Sequence, residues 1–333
     1  MGPVDQPGDH SSDRTSPNAI PTPGPVIIIG GAEDKFRNKT ILHRFVELAG
    51  GPDSHIVVVS TASSLGDQAT ELYRLLFRDM GVDRVTGLRP VTRQEANDQD
   101  FAEVLSDATG VFLTGGNQLR LSSVVAGTIL GRAIIDANHR GAVVAGTSAG
   151  ASAASTHMMA FGSSGETPKN RMAQMAAGLG LLHNVIVDQH FEQRTRIGRL
   201  ISVVAQSPSL LGIGVDEDTA AIVYADQTLE VIGRGVVTIV DGSDMVTNSY
   251  LAKGYKPMLV SGVVLHSLPA GARFDMAARA LLPNIDMLTE RRAVSKAAAA
   301  RQFQRLARQM GADSDEDFVI ERGSRTREPE ASE

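Results

Sequence analysis

The sequence predicts an α/β protein with a doubly wound, mostly parallel sheet and extra antiparallel strands in its C-terminal half. Short, wholly apolar runs alternate with helical stretches from residue 26 onward. Strands that are apolar on both faces are typical of parallel sheets with helices packed on each side. The later apolar runs are separated by Gly and Asp turns, which favour antiparallel pairing.

This alternation assigns five strands and four helices to the first half of the chain. The strands are predicted at 26–30, 56–60, 82–88, 111–113 and 142–146, and the helices at 39–48, 68–80, 93–107 and 128–139. In a sheet of this kind, functional groups collect at the carboxyl ends of the strands.

The second half of the chain is less regular. Residues 160–177 are polar and contain Gly and Ser, so we expect a surface loop there, with a flap over a nearby site as the alternative. A helix is predicted at 194–206. Further strands are predicted at 211–216, 220–224, 229–232, 236–240 and 260–266.

Both ends of the chain differ in composition from the region between them. Residues 1–25 are rich in Pro, Ser and Asp and lack the apolar core of a signal peptide, which favours a disordered tail and a cytoplasmic protein. Residues 286–310 are expected to contain a charged helix, at 289–310, and 311–333 to form a charged, flexible tail. No linker interrupts 26–285, so these residues are expected to form one catalytic domain.

The composition excludes several classes of protein. Of the 333 residues, 42% are hydrophobic, which excludes disorder for most of the chain. The 32 Lys and Arg are dispersed among 38 Asp and Glu, which argues against a nucleic-acid partner. No run approaches the about 18 consecutive apolar residues of a membrane-spanning helix. The absence of Cys excludes disulfides, iron–sulfur clusters and thiol catalysis.

Neither a metal nor a cofactor is expected. The sequence has no H-E-x-x-H pattern and no Cys, so it offers no zinc site. The G-G-A-E-D-K sequence at 30–35 follows the first predicted strand. It lacks the third glycine of G-x-G-x-x-G, and no G-K-[ST] occurs in the chain, so a nucleotide site is not predicted.

The most specific motif is G-T-S-A-G at 146–150, which lies between a predicted strand and a helical run. In this context G-x-S-x-G places the serine on a tight turn with its hydroxyl above the sheet, so Ser148 is a candidate nucleophile. The amide of Ala149 is then available to bind an oxyanion. A glycine pair at 115–116 follows another strand, and its exposed amides suit a second oxyanion donor. For both motifs the alternative is a turn selected only for close packing.

A serine hydroxyl needs an adjacent base to act as a nucleophile. His190 follows the apolar run 185–187, at the carboxyl end of a strand, and lies beside several polar residues. A third group must orient the imidazole. Asp216, Glu217 and Asp218 follow another apolar run, and the residues alone do not distinguish among these three acids.

Taken together and in this order, the motifs resemble the cyanophycinase family. They are G-G-A-E-D at 30–34, T-G-G-N-Q at 114–118, G-T-S-A-G-A-S at 146–152 and D-Q-H-F at 188–191. The resemblance covers roughly residues 25–285. It implies a serine peptidase related to α-aspartyl dipeptidase, with a fold like class I glutamine amidotransferases, which is flavodoxin-like, and a homodimeric assembly.

The resemblance also implies residue roles. It identifies Ser148 as nucleophile, His190 as base and Glu217 as the acid, with Gly116 and Ala149 in the oxyanion hole. Further residues match family positions that line the substrate pocket; they are Gln118, Asp188, Gln189, Arg194, Arg196 and Arg199.

The substrate that this resemblance implies is cyanophycin, a poly-aspartate backbone with Arg on each side-chain carboxyl, or aspartyl-arginine peptides derived from it. Helical spacing places Arg196 and Arg199 on one face. We expect both to bind substrate carboxylates through bidentate contacts and Arg194 to form a structural ion pair.

The leading hypothesis is an exopeptidase that releases β-Asp-Arg dipeptides through an acyl-enzyme intermediate. One alternative is a dipeptidase for short aspartyl peptides. Another is a non-catalytic binding protein on the same scaffold.

Overall fold

The computed structural model describes residues 22–251 and 253–283. The predicted helix at 289–310 and the tail at 311–333 lie outside these residues, as does most of the predicted tail at 1–25. In chain order the strands are β1 (Val26–Ile29), β2 (His55–Val59), β3 (Arg84–Leu88), β4 (Gly110–Leu113), β5 (Val143–Thr147), β6 (His157–Gly162), β7 (Ala173–Ala177), β8 (Val185–Gln189), β9 (Leu211–Val215), β10 (Thr219–Val223), β11 (Thr228–Gly233), β12 (Val236–Asp241), β13 (Val246–Thr247), β14 (Val260–Ser261), β15 (Val264–Pro269), β16 (Arg273–Asp275) and β17 (Ala280–Leu282).

The described α-helices surround these strands. They are α1 (Thr40–Leu48), α2 (Asp67–Asp79), α3 (Gln99–Leu105), α4 (Gln118–Val125), α5 (Ile129–His139), α6 (Ala149–Ala154) and α7 (Ile197–Gln206), with short 3-10 helices at Gly51–Asp53 and Glu95–Asn97. None of these helices has both the length and the apolarity needed to cross a membrane.

The central sheet has the strand order β17-β16-β11-β10-β1-β5-β4-β2-β3. Strands β1 to β5 pair in parallel, and β10, β11, β16 and β17 extend the sheet by antiparallel pairing. Alternate side chains of β2 enter different cores: Ile56 and Val58 pack with α1 and α2, whereas Val57 and Val59 pack with α3, α4 and α5. The predicted mixed α/β fold with added antiparallel strands is therefore confirmed.

A second sheet, in the order β15-β12-β9-β8, was not predicted from the sequence. Its inner residues, such as Val187 and Ile213, share a core with Ile28 and Val231 of the central sheet. Helix α7 covers the outer face. The sequence shows that β8 and β9 are apolar on both faces, but it does not show which sheet they join.

Several segments differ from the predictions. The strand predicted at 260–266 is two strands, β14 and β15, which belong to different sheets. Residues 160–177 are not a simple loop, because β6 and β7 form an antiparallel hairpin with Met158 and Met159 fully buried. The helix predicted at 93–107 is a 3-10 turn followed by α3, which begins where Asp98 accepts a hydrogen bond from the amide of Asp100. Helix α4 was not predicted. Helix α7 begins only at Ile197, three residues later than expected.

Strand ends from both sheets meet at one place. The amide of Ser148, after β5, donates to the carbonyl of Ile29 at 2.9 Å, and the amide of His190, after β8, donates to Gly30 at 2.8 Å. The amide of Asp218, after β9, donates to Gly31 at 2.9 Å. The segment after β1 therefore fixes the positions of all three chain segments that carry the candidate catalytic residues.

Candidate active site

Ser148 lies on a sharp turn between β5 and α6. Its backbone has φ 51° and ψ −106°, a region that non-glycine residues rarely occupy and that is associated with functional sites. A Cβ at Gly146 would lie 2.4 Å from the carbonyl carbon of Gly150, so the turn requires glycine there. The Ser148 Oγ is 2.9 Å from His190 Nε2.

His190 connects the serine to an acid. Its Nδ1 is 2.6 Å from Oε1 of Glu217, so an Nδ1–H that donates to this carboxylate leaves Nε2 free to accept the proton of Ser148. Burial lowers the pKa of His190, and the charges of Arg194 and Arg196 lower it further, while Glu217 opposes the shift. The lowered pKa favours the neutral imidazole, which is the form that a general base requires.

The two acids that flank Glu217 accept hydrogen bonds from backbone amides. Asp216 is 1% exposed and accepts hydrogen bonds from the amides of Glu192 and Val236. Asp218 accepts a hydrogen bond from the amide of Asp34 at 2.8 Å. Of the three acids that the sequence leaves open, Glu217 is the one placed against the imidazole.

The glycine pair after β1 makes room for the imidazole. A Cβ at Gly31 would lie 2.3 Å from Cε1 and 2.6 Å from Nε2 of His190, and the residue has φ +97°. From the sequence these glycines were weighed for a nucleotide site and counted among the family motifs, without a role in the catalytic site. Their position at the carboxyl end of β1 was the signal for a different role, which is to admit His190 to the site.

The predicted oxyanion donors belong to segments next to the nucleophile. A Cβ at Gly115 would lie 3.4 Å from Cβ and 4.0 Å from Oγ of Ser148, so this loop passes directly beside the nucleophile. Gly116 has φ +141°, and a Cβ there would meet the carbonyl of Ala62. Ala149 begins α6, where the first amides of a helix lack intrahelical partners.

Arg196 and Arg199 do not face open space. They are 7% and 3% exposed, and both bind the fully buried carboxylate of Asp188. Arg199 uses two of its nitrogens on that carboxylate and donates a third bond to the carbonyl of Gly162 in the hairpin. Their guanidinium groups are thus occupied by a protein carboxylate, which differs from the expectation that both bind a substrate carboxylate.

Of the other predicted pocket residues, Gln189 and Gln118 form hydrogen bonds within the protein, whereas Arg194 is exposed. Gln189 is buried and accepts a hydrogen bond from Arg196 at 2.8 Å. Gln118 is half-buried and donates to the carbonyl of Ala160 at 2.7 Å, which fastens the hairpin to α4. Arg194 is exposed and has no ion pair within the described residues. The expected roles are therefore exchanged: Arg196 and Arg199, expected to bind substrate, form ion pairs with Asp188, whereas Arg194, expected to form an ion pair, forms none within the described residues.

A further buried acid, Glu33, supports the nucleophile turn. Its carboxylate accepts hydrogen bonds from the hydroxyls of Thr147 at 2.6 Å and Tyr73 at 2.5 Å, and Lys35 Nζ lies 2.7 Å away. Burial raises the pKa of Tyr73 well above its usual value, so this phenol stays a neutral donor. Glu33 thereby holds the residue immediately before Ser148. The sequence had indicated no role for Glu33.

Within the described ranges, no three His, Asp or Glu side chains are grouped as metal ligands. The arrangement consists of a nucleophile, a base, an acid and nearby backbone amides. It is suited to acyl transfer.

Comparison with known proteins places this geometry in a family. The sequence pattern of peptidase family S51 matches residues 26–232. The chain belongs to peptidase family S51. It is 42% identical over 252 residues to a cyanophycinase of Geminocystis herdmanii, covering 75% of this chain and 93% of that one. It is 41% identical over 282 residues to a cyanophycinase of Trichormus variabilis, covering 84% and 94% of the two chains.

A solved structure shares the fold of this S51 peptidase. The crystal structure of a peptidase from an acI-B1 actinobacterium superposes with a TM-score of 0.53 at 23% identity, covering 74% of this chain and 98% of that one. At this identity the likeness concerns the fold alone.

Proposed function

We propose that this S51 peptidase hydrolyses cyanophycin to β-Asp-Arg dipeptides as a serine-type exopeptidase. The observation that carries the proposal is the hydrogen-bonded sequence Ser148–His190–Glu217, with distances of 2.9 and 2.6 Å. The choice of cyanophycin as the substrate rests on the relatives named cyanophycinase, which are 41–42% identical to this chain over most of both chains.

The reaction proceeds in two acyl-transfer steps. Ser148 Oγ attacks the scissile carbonyl carbon while its proton passes to Nε2 of His190, and Glu217 stabilises the imidazolium that forms. The amides of Gly116 and Ala149 bind the developing oxyanion. The imidazolium then protonates the leaving amine, which leaves an ester on Ser148. Water, deprotonated by neutral His190, hydrolyses this ester and restores the serine.

The sheet supports a flavodoxin-like scaffold of the class I glutamine amidotransferase kind. Strands β3, β2, β4 and β5 lie side by side in parallel, which matches the 2-1-3-4 part of the flavodoxin order. The nucleophile follows β5, at the carboxyl edge of this sheet, where α/β enzymes place their ligands.

The test is incubation of the full chain with purified cyanophycin and mass analysis of the products. The proposal predicts β-Asp-Arg as the product that accumulates. Hydrolysis of Asp-Xaa dipeptides without attack on the polymer would instead identify a dipeptidase. No hydrolysis of either substrate would indicate a binding protein.

A further inference from the structure

A cleft of about 860 Å³ adjoins the acid of the triad. Glu217 forms part of its wall, together with the loop at 32–38 and the turn at 234–235. Only the imidazole of His190 separates Glu217 from Ser148. The cleft therefore begins within about three residues' length of the nucleophile, at about 3.3–3.6 Å per residue of an extended chain.

The loop at 32–38 is held rigidly, although it lies at the surface. The carboxylate of Asp34 accepts four backbone hydrogen bonds, from residues 36, 37, 38 and 39, at 2.7 to 3.1 Å. These bonds lower the pKa of Asp34, so the carboxylate stays ionised. The amide of Asp34 in turn donates to Asp218 at 2.8 Å, which ties the loop to the turn that carries Glu217.

This fixed loop presents a large apolar side chain to solvent. Phe36 is 85% exposed at the wall of the cleft. A single exposed aromatic residue is common on protein surfaces, but Phe36 lies in a loop that a hydrogen-bond network holds beside the proposed catalytic acid. An aromatic face is a binding surface for a guanidinium group, which it attracts through its π electrons.

Two arginines, Arg37 and Arg234, line the same cleft as Phe36. Arg37 is exposed and has no ion pair within the described residues. Arg234 also lines the cleft; its side chain is 83% exposed and forms a long ion pair with Asp218, at 3.8 Å. The Arg37 guanidinium is therefore free to bind a carboxylate in bidentate geometry, and the contact of Arg234 with Asp218 is too long for a hydrogen bond, which leaves its donors for a ligand.

We infer that this cleft is a second subsite, which binds units of the polymer beyond those at the scissile bond. The inference rests on the proposed function, because it takes cyanophycin as the ligand. Each unit of that polymer carries one free carboxylate and one guanidinium. Phe36 stacks on the guanidinium, and Arg37 and Arg234 bind the carboxylate. The role of the cleft is to retain long substrate, while the triad carries out the chemistry.

The test compares soluble cyanophycin with the dimer (β-Asp-Arg)₂, which has one scissile bond and is too short to fill the cleft. The triple variant Phe36→Ala/Arg37→Ala/Arg234→Ala is expected to lower the ratio of kcat/KM for polymer to kcat/KM for dimer by about tenfold or more. Each contact contributes about 2- to 5-fold. The variant should raise KM for the polymer and leave kcat nearly unchanged. Contacts outside the reacting centre stabilise the bound substrate and the transition state equally.

Matched controls are an exposed aromatic and an exposed arginine outside the cleft. Tyr250 is 82% exposed, and Arg132 is exposed on α5, so Tyr250→Ala/Arg132→Ala should leave the ratio unchanged. Binding measured by calorimetry in a Ser148→Ala background should show the same weakening for long oligomers. An unchanged ratio in the triple variant, or an equal loss on both substrates, would overturn the subsite. Failure of the wild type to cleave either substrate would instead overturn the proposed function.

Discussion

Gly31 and the imidazole of His190 occupy adjoining space, and a β-carbon at position 31 would lie 2.3 Å from the ring. The glycine after the first strand is therefore part of the site, although it contributes no side chain. Because the carbonyl of Gly30 also accepts the amide of His190, this glycine pair determines both where the histidine backbone lies and where its ring can go.

Gly31→Ala is expected to displace the imidazole from Ser148 and to lower kcat by about 100-fold, since a shift of about 1 Å in a catalytic group has an effect of that size. The matched control is Gly50→Ala. Gly50 has φ +111°, but a Cβ at this position would have no other atom within 4 Å, so the control tests backbone strain without the clash. Equal kcat values for the two variants would contradict a role for Gly31 at the imidazole.

Glu217→Gln is expected to lower kcat by about 10⁴-fold, because the amide stabilises neither the required tautomer nor the imidazolium. Asp216→Asn should act mainly on stability, by about 1–3 kcal/mol, because the buried carboxylate of Asp216 accepts two backbone hydrogen bonds. Measuring kcat and urea unfolding for both variants separates these effects. A larger loss of kcat in Asp216→Asn would place the catalytic acid one residue earlier.

Activity is expected to fall on the acid side as His190 becomes protonated. The charge of Arg194 lowers the pKa of His190, so removal of this charge should raise that pKa. In Arg194→Ala the acid limb of the kcat/KM profile should therefore move to higher pH, whereas Arg194→Lys keeps the charge and should leave the limb in place. If the acid limb of the kcat/KM profile of Arg194→Ala is unchanged or moves to lower pH, this electrostatic role is contradicted.

Arg199→Ala is expected to destabilise the fold by about 3–5 kcal/mol, because it leaves the buried carboxylate of Asp188 with a reduced set of partners. Arg194→Ala, at an exposed position, provides the comparison and should change the free energy of unfolding little. Urea denaturation and KM are measured on both. Normal stability with a raised KM in Arg199→Ala would mean that this guanidinium binds substrate directly.

Strands β1, β2, β4 and β5 were predictable because each is a short, fully buried apolar run. Strand β3 lies at the edge of the sheet and is largely exposed, so its pattern is weaker. Helix α4 was not predicted, although Asn117 is its N-cap and its side chain accepts a hydrogen bond from the amide of Arg120. The second sheet could not be predicted from β8 and β9, since a strand's pattern shows its burial but not its partner.

In the candidate site too, some placements were predictable from the sequence and others were not. Ser148 and His190 follow apolar runs in the sequence, so their placement at strand ends was predictable. The residues alone left the choice among 216–218 open, because it depends on which carboxylates the backbone already occupies. The family resemblance indicated Glu217, and Glu217 is the acid that contacts the imidazole. The burial of Arg196 and Arg199 was not predictable either, because it depends on where α7 begins and on Asp188 lying beneath them.

The central claim is that Ser148 is the nucleophile of a cyanophycin-degrading peptidase. The most direct measurement is the rate of β-Asp-Arg release from purified cyanophycin by the wild type and by Ser148→Ala, with thermal melting to show that both are folded. The account predicts a loss of about 10⁴-fold or more in a variant that melts like the wild type. A folded Ser148→Ala protein that retains more than about one per cent of wild-type turnover would contradict it.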